Sequence, residues 1–182
     1  LYDHSEATFW AGIRSLPPGG QMTWSESKGL TISTWYDVAD AACSDLDTRS
    51  DAAVADELRA LLDETIALRF RADVPVGVCL SGGLDSSLLL GLIHKMQGKD
   101  SCVEAFSFCC GDPTYDESPW IEKMLEQTQH HWTLNTLAVG DVPDLALQVQ
   151  FAQDEPFGGL PTLGMSTVHR SARERGVTVL LD

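Results

Sequence analysis

Ser81-Gly82-Gly83-Leu84-Asp85-Ser86-Ser87 stands directly behind the apolar run Val74-Pro75-Val76-Gly77-Val78-Cys79-Leu80 and ahead of a Leu-rich amphipathic stretch, Leu88 to Met96. The order reads as strand, glycine-rich loop, helix, which is the layout that holds a phosphate chain. Gly82 and Gly83 lack a Cβ, so the backbone can turn tightly and bring N–H groups up to an anion. The hydroxyls of Ser81, Ser86 and Ser87 add donors at the same place. The helix after Leu84 turns its positive dipole end and its unsatisfied N–H groups toward the loop. Asp85 would repel phosphate by itself, so its expected use is to hold a Mg²⁺ that bridges to the phosphates.

The loop lacks a Gly-Lys-Ser/Thr ending, so it is not the Walker type in which a Lys reaches the β- and γ-phosphates. It also lacks Gly-x-Gly-x-x-Gly, which argues against a dinucleotide fingerprint. Ser-Gly-Gly-x-Asp-Ser-Ser instead resembles the pyrophosphate loop of the ATP pyrophosphatases. Those enzymes cut ATP between the α- and β-phosphates and leave a substrate carboxylate adenylated. The plain alternative is a Ser- and Gly-rich turn before a core helix. Seven residues in order, in a strand–loop–helix context, favour the nucleotide loop.

Outward from the loop, strand and helix alternate. Asp51 to Phe70 has helical periodicity, with Val54, Leu58, Leu61, Leu62, Thr65 and Leu68 on one stripe and Ser50 or Asp51 as N-cap. Beyond the loop, Val103 to Cys109 reads as a strand and Glu117 to Gln127 as a helix. His131 to Leu134 reads as a short strand, Val142 to Gln153 and Thr162 to Arg175 as helices, and Val177 to Leu181 as a last strand. This alternation predicts an α/β fold, a parallel sheet with helices on both faces. Ligands in such sheets bind beyond the carboxyl ends of the strands, where strand order reverses. The first forty residues differ in texture: Gln21 to Trp24 and Leu30 to Tyr36 read as a hairpin across Ser25–Gly29, and Cys43 to Ser50 as a linker. A lone hairpin is marginal in water, so this one is expected to complete a sheet supplied elsewhere.

The 182 residues are 43% hydrophobic and 21% charged, an ordinary globular balance, with no apolar run approaching the roughly 20 residues that span a bilayer. No signal-like segment opens the chain, which begins with Leu1, so a piece of a longer protein is expected. Twelve basic and 27 acidic residues give a net charge of −15, which disfavours nucleic acid as a partner and leaves an anionic nucleotide dependent on Mg²⁺ and local donors. Five cysteines (Cys43, Cys79, Cys102, Cys109 and Cys110) form no Cys-x-x-Cys. Neither a disulfide framework nor a zinc site is indicated, and a reducing cytoplasm fits. Cys79, Cys109 and Cys110, all in strands, read as small core residues.

Taken together, these residues resemble the glutamine-hydrolysing asparagine synthetases. Thr8-Phe9-Trp10-Ala11-Gly12-Ile13-Arg14-Ser15-Leu16-Pro17-Pro18-Gly19 resembles the end of their glutaminase domain, and Arg71-Ala72-Asp73-Val74 through Ser87 the entry to their synthetase domain. Tyr115-Asp116-Glu117-Ser118, His130-His131, Gln153-Asp154-Glu155-Pro156-Phe157-Gly158 and Gly176 to Asp182 continue it in order. The resemblance implies an adenine nucleotide alpha hydrolase-like (HUP-type) domain over 43–182, truncated at 182. Residues 1–42 are then the β-rich remnant of a glutaminase domain with its linker.

The resemblance further implies a cytoplasmic ligase that makes asparagine from aspartate, ATP and glutamine-derived ammonia through β-aspartyl-AMP, releasing AMP and pyrophosphate. Ser81, Gly82, Gly83, Asp85, Ser86 and Ser87 would hold the β- and γ-phosphates, with Asp85 on Mg²⁺ and Leu80 and Cys110 against the adenosine. No membrane or nucleic-acid partner is implied, and a homodimer is one expectation for a longer form.

Three departures from the family pattern are visible. The glutaminase nucleophile is absent, Cys110 stands where the family often has an aliphatic residue, and the chain stops before the family's second, acidic glycine-rich loop. These 182 residues alone are therefore expected not to make asparagine. The alternatives are relatives that close β-lactam rings or cyclise peptides, another ATP pyrophosphatase, and a non-catalytic nucleotide-binding module. Among the smaller signals, adjacent His130 and His131 would point to opposite faces of a strand and read as structural. Asp116 and Glu117 read as helix caps or as neighbours of the metal, and Asp154-Glu155 as a turn or an amine-positioning pair.

Overall fold

Ser25 to Gly29 turns the chain as expected. The computed structural model, which describes residues 5–42 and 46–182, pairs β1 (Gly20–Ser25) antiparallel with β2 (Gly29–Thr34). Met22 lies opposite Ile32 and Trp24 opposite Leu30, so these four share one face, while Gln21, Thr23, Thr31 and Ser33 share the other. One face is therefore apolar and the other polar, and the apolar face stands open, with Trp24 70% exposed. A short helix, α1 (Val38–Ala41), follows; its N-cap Asp37 accepts from the Ala39 N–H at 2.8 Å. The expected start of the linker at Cys43 lies outside the described residues. This hairpin unit (residues 1–50) and the remainder (51–182) are separate compact units.

The second unit runs α2 (Asp51–Arg69), β3 (Val76–Cys79), α3 (Leu84–Gln97), β4 (Ala105–Cys109), α4 (Ser118–Thr128) and β5 (Trp132–Thr136). A single 3₁₀ turn at Val139–Asp141 leads into α5 (Val142–Gln153), α6 (Leu160–Glu174) and β6 (Val179–Leu181). The expected elements all form, and α5 has the expected bounds. The four strands lie in the order β5-β4-β3-β6 and pair in parallel, so the predicted α/β class is the one found. From β3 the chain builds outward through β4 to β5, then returns to set β6 on the other side of β3. The reversal of strand order therefore lies beside β3.

Side chains that alternate along β3 and β4 make two cores. Val78, Leu80 and Ala105 pack with Ile66, Leu90, Ile93 and Ile121 from α2, α3 and α4. Cys79 and Phe106 pack with Val168 and Ala172 of α6 on the opposite face. Helices thus cover both faces, as burial of both sides of a parallel sheet requires. The apolar stripe expected to bury α2 is corrected: Leu58, Leu61 and Leu68 are exposed, and Ile66 is the residue of that helix that enters the core. Periodicity marks a face, but only packing elements decide how much of that face is covered. Among the described residues, no helix is long and apolar enough to cross a membrane.

Candidate nucleotide site

The Ser81–Ser87 loop leaves the carboxyl end of β3, beside the point where strand order reverses. Gly82 takes φ +75°, and a Cβ there would lie 3.1 Å from the Glu117 carbonyl oxygen, so the start of α4 seals one side of the loop. The loop holds itself with its own serines. The Ser81 N–H donates to Ser86 Oγ at 3.2 Å, the two hydroxyl oxygens are 3.1 Å apart, and Ser86 Oγ donates to the Gly83 carbonyl at 3.3 Å. Gly83 is the N-cap of α3 and has no side chain to cap it. The first intrahelical bond, Ser87 N–H to the Gly83 carbonyl, comes only after Leu84, Asp85 and Ser86. The N–H groups of those three residues are what a helix N-terminus offers an anion.

Beside the loop opens a cleft of about 490 Å³, a size that suits a small-molecule ligand. Leu80, Ser81, Phe108 and Cys110 form its sheet side, Met165 and Pro161 of α6 one wall, and Tyr115 and Glu117 another. Leu80 and Cys110, expected at adjacent strand ends, do meet in it. Gly82, Gly83, Asp85, Ser86 and Ser87 belong to the loop at its edge, with Asp85 exposed in the first turn of α3. The residues present fit a nucleotide with Mg²⁺. The left-handed Gly82 and the uncapped helix start suit phosphate oxygens, the apolar cleft suits a base, and an exposed carboxylate is the hard oxygen donor that Mg²⁺ takes. With further carboxylates at Glu117 and Asp182 in the lining, a bound polyphosphate needs such a cation.

Of the three thiols expected in the core, one is found there. Cys79 is buried, and burial first, then the charge of Asp182, push its thiol up to about 11, so it stays protonated and inert. Cys109 is half-buried and Cys110 exposed, which corrects their reading as core residues: β4 ends there, and the sheet opens into the cleft. His130 and His131 do point apart. His130 is buried with Nδ1 2.9 Å from the Val103 carbonyl, and His131 is exposed. Asp116 accepts from the Ser118 N–H at 3.0 Å and from Cys109 Sγ at 3.4 Å. The Ser118 bonds foremost hold its carboxyl below the usual range, and Asp116 thus ties down the turn into α4, whose N-cap is Glu117. Glu117 is left facing the cleft. Asp154 and Glu155 are exposed and are not among the residues that line this cleft.

Sequence reading missed Ser107 and the α6 wall. Ser107 is 2% exposed, donates from Oγ to the Leu80 carbonyl and accepts from Trp132 Nε1 at 2.9 Å. The alternation of Phe106, Ser107 and Phe108 was the available signal, a polar residue at an inward position of a strand.

The family model for asparagine synthase matches residues 57–182. The chain is 35% identical over 133 residues to a putative glutamine-hydrolysing asparagine synthetase 2 of Methanocaldococcus jannaschii, covering 70% of this chain and 24% of that protein. It is 32% identical over 138 residues to the glutamine-hydrolysing asparagine synthetase 3 of Bacillus subtilis, covering 66% and 21%. The chain thus spans about a quarter of the length of the curated relatives it matches. Among solved structures it is similar to an NH3-dependent NAD synthetase from Campylobacter jejuni, with a TM-score of 0.44 at 14% identity over 72% of this chain and 56% of that one. The match of the family model takes in the Ser81–Ser87 loop, the cleft and all four strands of the parallel sheet, and the chain belongs to the asparagine synthase family.

Proposed function

We propose that this chain carries the ATP-binding part of an amide-forming ligase that activates the side-chain carboxylate of aspartate and passes it to ammonia derived from glutamine. The observation that carries the reading is the Ser81–Ser87 loop, set where strand order reverses and opening onto an apolar cleft. In this reading the N–H groups at the start of α3 and the loop hydroxyls bind the β- and γ-phosphates. Asp85 holds Mg²⁺, whose charge offsets that of the polyphosphate. Leu80 and Cys110 lie against the adenosine, which leaves the α-phosphorus at the cleft mouth. A carboxylate oxygen attacks that phosphorus, the bond to the β-phosphate oxygen breaks, and pyrophosphate leaves in the grip of the loop. Ammonia then attacks the acyl carbon, AMP departs with the bonding electrons, and the amide nitrogen loses a proton. Residues 1–42 are assigned to the end of a glutaminase domain and 43–182 to the synthetase domain.

The test is exchange of labelled pyrophosphate into ATP by the natural protein that carries this sequence, with Asp85→Ala as control. Exchange that requires aspartate and falls at least about a hundredfold in the variant is expected. Exchange with a β-amino acid or a peptide acid in place of aspartate would move the activity to a ring-closing reaction. Nucleotide binding without exchange for any acid would leave a binding module.

A further inference from the structure

From the edge strand β5, a line of hydrogen bonds crosses β4 and ends at the loop that follows β3. Trp132 in β5 donates its indole N–H to Ser107 Oγ at 2.9 Å, and Ser107 in β4 donates its hydroxyl to the Leu80 carbonyl at the end of β3. The Leu80 carbonyl and the Ser81 N–H belong to one planar peptide unit, so fixing the direction of one fixes the other. That N–H donates to Ser86 Oγ, which in turn donates to the Gly83 carbonyl. Each group donates onward in the same sense, the arrangement in which neighbouring bonds polarise and strengthen one another. Leu80 is also where regular pairing ends. Its N–H makes the last rung, to the Phe106 carbonyl at 2.8 Å, and its carbonyl is taken by a side chain instead of by the ladder. Asn135 Nδ2, bonded to the Ser107 carbonyl at 3.1 Å, steadies Ser107 from β5.

We infer that Ser107, oriented by Trp132, is a positioning residue for ATP: it sets the Leu80–Ser81 peptide and through it the phosphate-binding conformation of the loop. Ser107 lines the cleft but acts through the loop. This inference rests on the reading of Ser81–Ser87 as the site of the ATP phosphates.

The experiment compares Ser107→Ala, Ser107→Thr and Trp132→Phe with the wild type in ATP affinity, in the KM for ATP and kcat of pyrophosphate exchange, and in the NMR shift of the Ser81 amide proton. Ser107→Ala leaves both the indole N–H and the Leu80 carbonyl without their partner. Its KM for ATP is expected to rise about tenfold, with the KM for the acid unchanged. Ser107→Thr, which keeps the hydroxyl, should restore it to within about twofold, and Trp132→Phe should fall between. The Ser81 amide proton should move upfield in the alanine and phenylalanine variants and stay in place in the threonine one. Equal ATP affinity and an unmoved Ser81 amide in Ser107→Ala, beside a wild type whose binding Asp85→Ala abolishes, would overturn this inference alone. Equal impairment by alanine and threonine would make Ser107 a packing residue and overturn it too. A wild type that does not bind ATP would overturn the nucleotide reading together with it.

Discussion

Gly82 holds φ at +75°, and a Cβ built on it would stand 3.1 Å from the carbonyl oxygen and 3.1 Å from the Cβ of Glu117. A side chain there meets two penalties: the left-handed conformation itself, about 1–2 kcal/mol, and a displaced α4 start. Gly82→Ala is therefore expected to lower stability by about 1–2 kcal/mol and ATP affinity by about tenfold, read from a denaturant midpoint and a nucleotide titration. Gly83, at φ −72° with only Ser81 Oγ nearby at 3.4 Å, should tolerate alanine better, so the two glycines separate on the same assays. The sequence makes the need for small residues legible, because a loop that meets phosphate must expose its backbone. It does not say which neighbour closes on Gly82. That neighbour sits at the start of a helix far along the chain, and nothing local encodes the approach. Ser107 and Trp132 were hidden for the same reason: the alternation of Phe106, Ser107 and Phe108 marks a polar residue in a strand, but its meaning comes from two other strands.

Helices were the most legible elements, because a period of 3.6 residues persists over many turns, whereas strands of three to five residues leave their ends to the tertiary fit. The site wall on α6 is amphipathic in sequence, but which of its side chains face the cleft required the sheet order. α2 shows the gap between pattern and packing most clearly: Ile66 is 5% exposed and Leu58 55%. Ile66→Ala should destabilise by about 2–4 kcal/mol, the range for truncating a buried aliphatic. Leu58→Ala, on the open stripe, should change stability by no more than about 0.5 kcal/mol. Thermal or denaturant unfolding of the two variants side by side checks this. Equal losses would mean that the stripe is covered in solution.

At the scale of the whole second unit, Glu104, just ahead of β4, forms an ion pair with Arg175, just past α6, and accepts from Thr133 Oγ1 at 2.6 Å. Burial would raise its carboxyl and is the largest single effect. The hydrogen bonds from Arg175 and Thr133, with the charges of Arg175 and His131, outweigh it and hold Glu104 low. A depressed folded value means that the contribution is complete above the unfolded carboxyl's value of 4.5 and is lost as pH falls through the folded one. Glu104→Gln should cost about 1 kcal/mol near neutral pH, discounted for the half-exposed Arg175, and progressively less as pH falls through the folded value. Melts across that range should show the two proteins converging downward, and a constant gap would refute the assignment. The ladder carries a further consequence, for the chain as it is made. Val76 pairs with Val179, about a hundred residues later, so the inner strand that leads into the Ser81–Ser87 loop waits for its second neighbour through most of the unit's synthesis. At ordinary ribosomal speed that wait is roughly 5 to 20 s, during which one edge of β3 is an unpaired apolar template that a chaperone or another nascent chain can occupy.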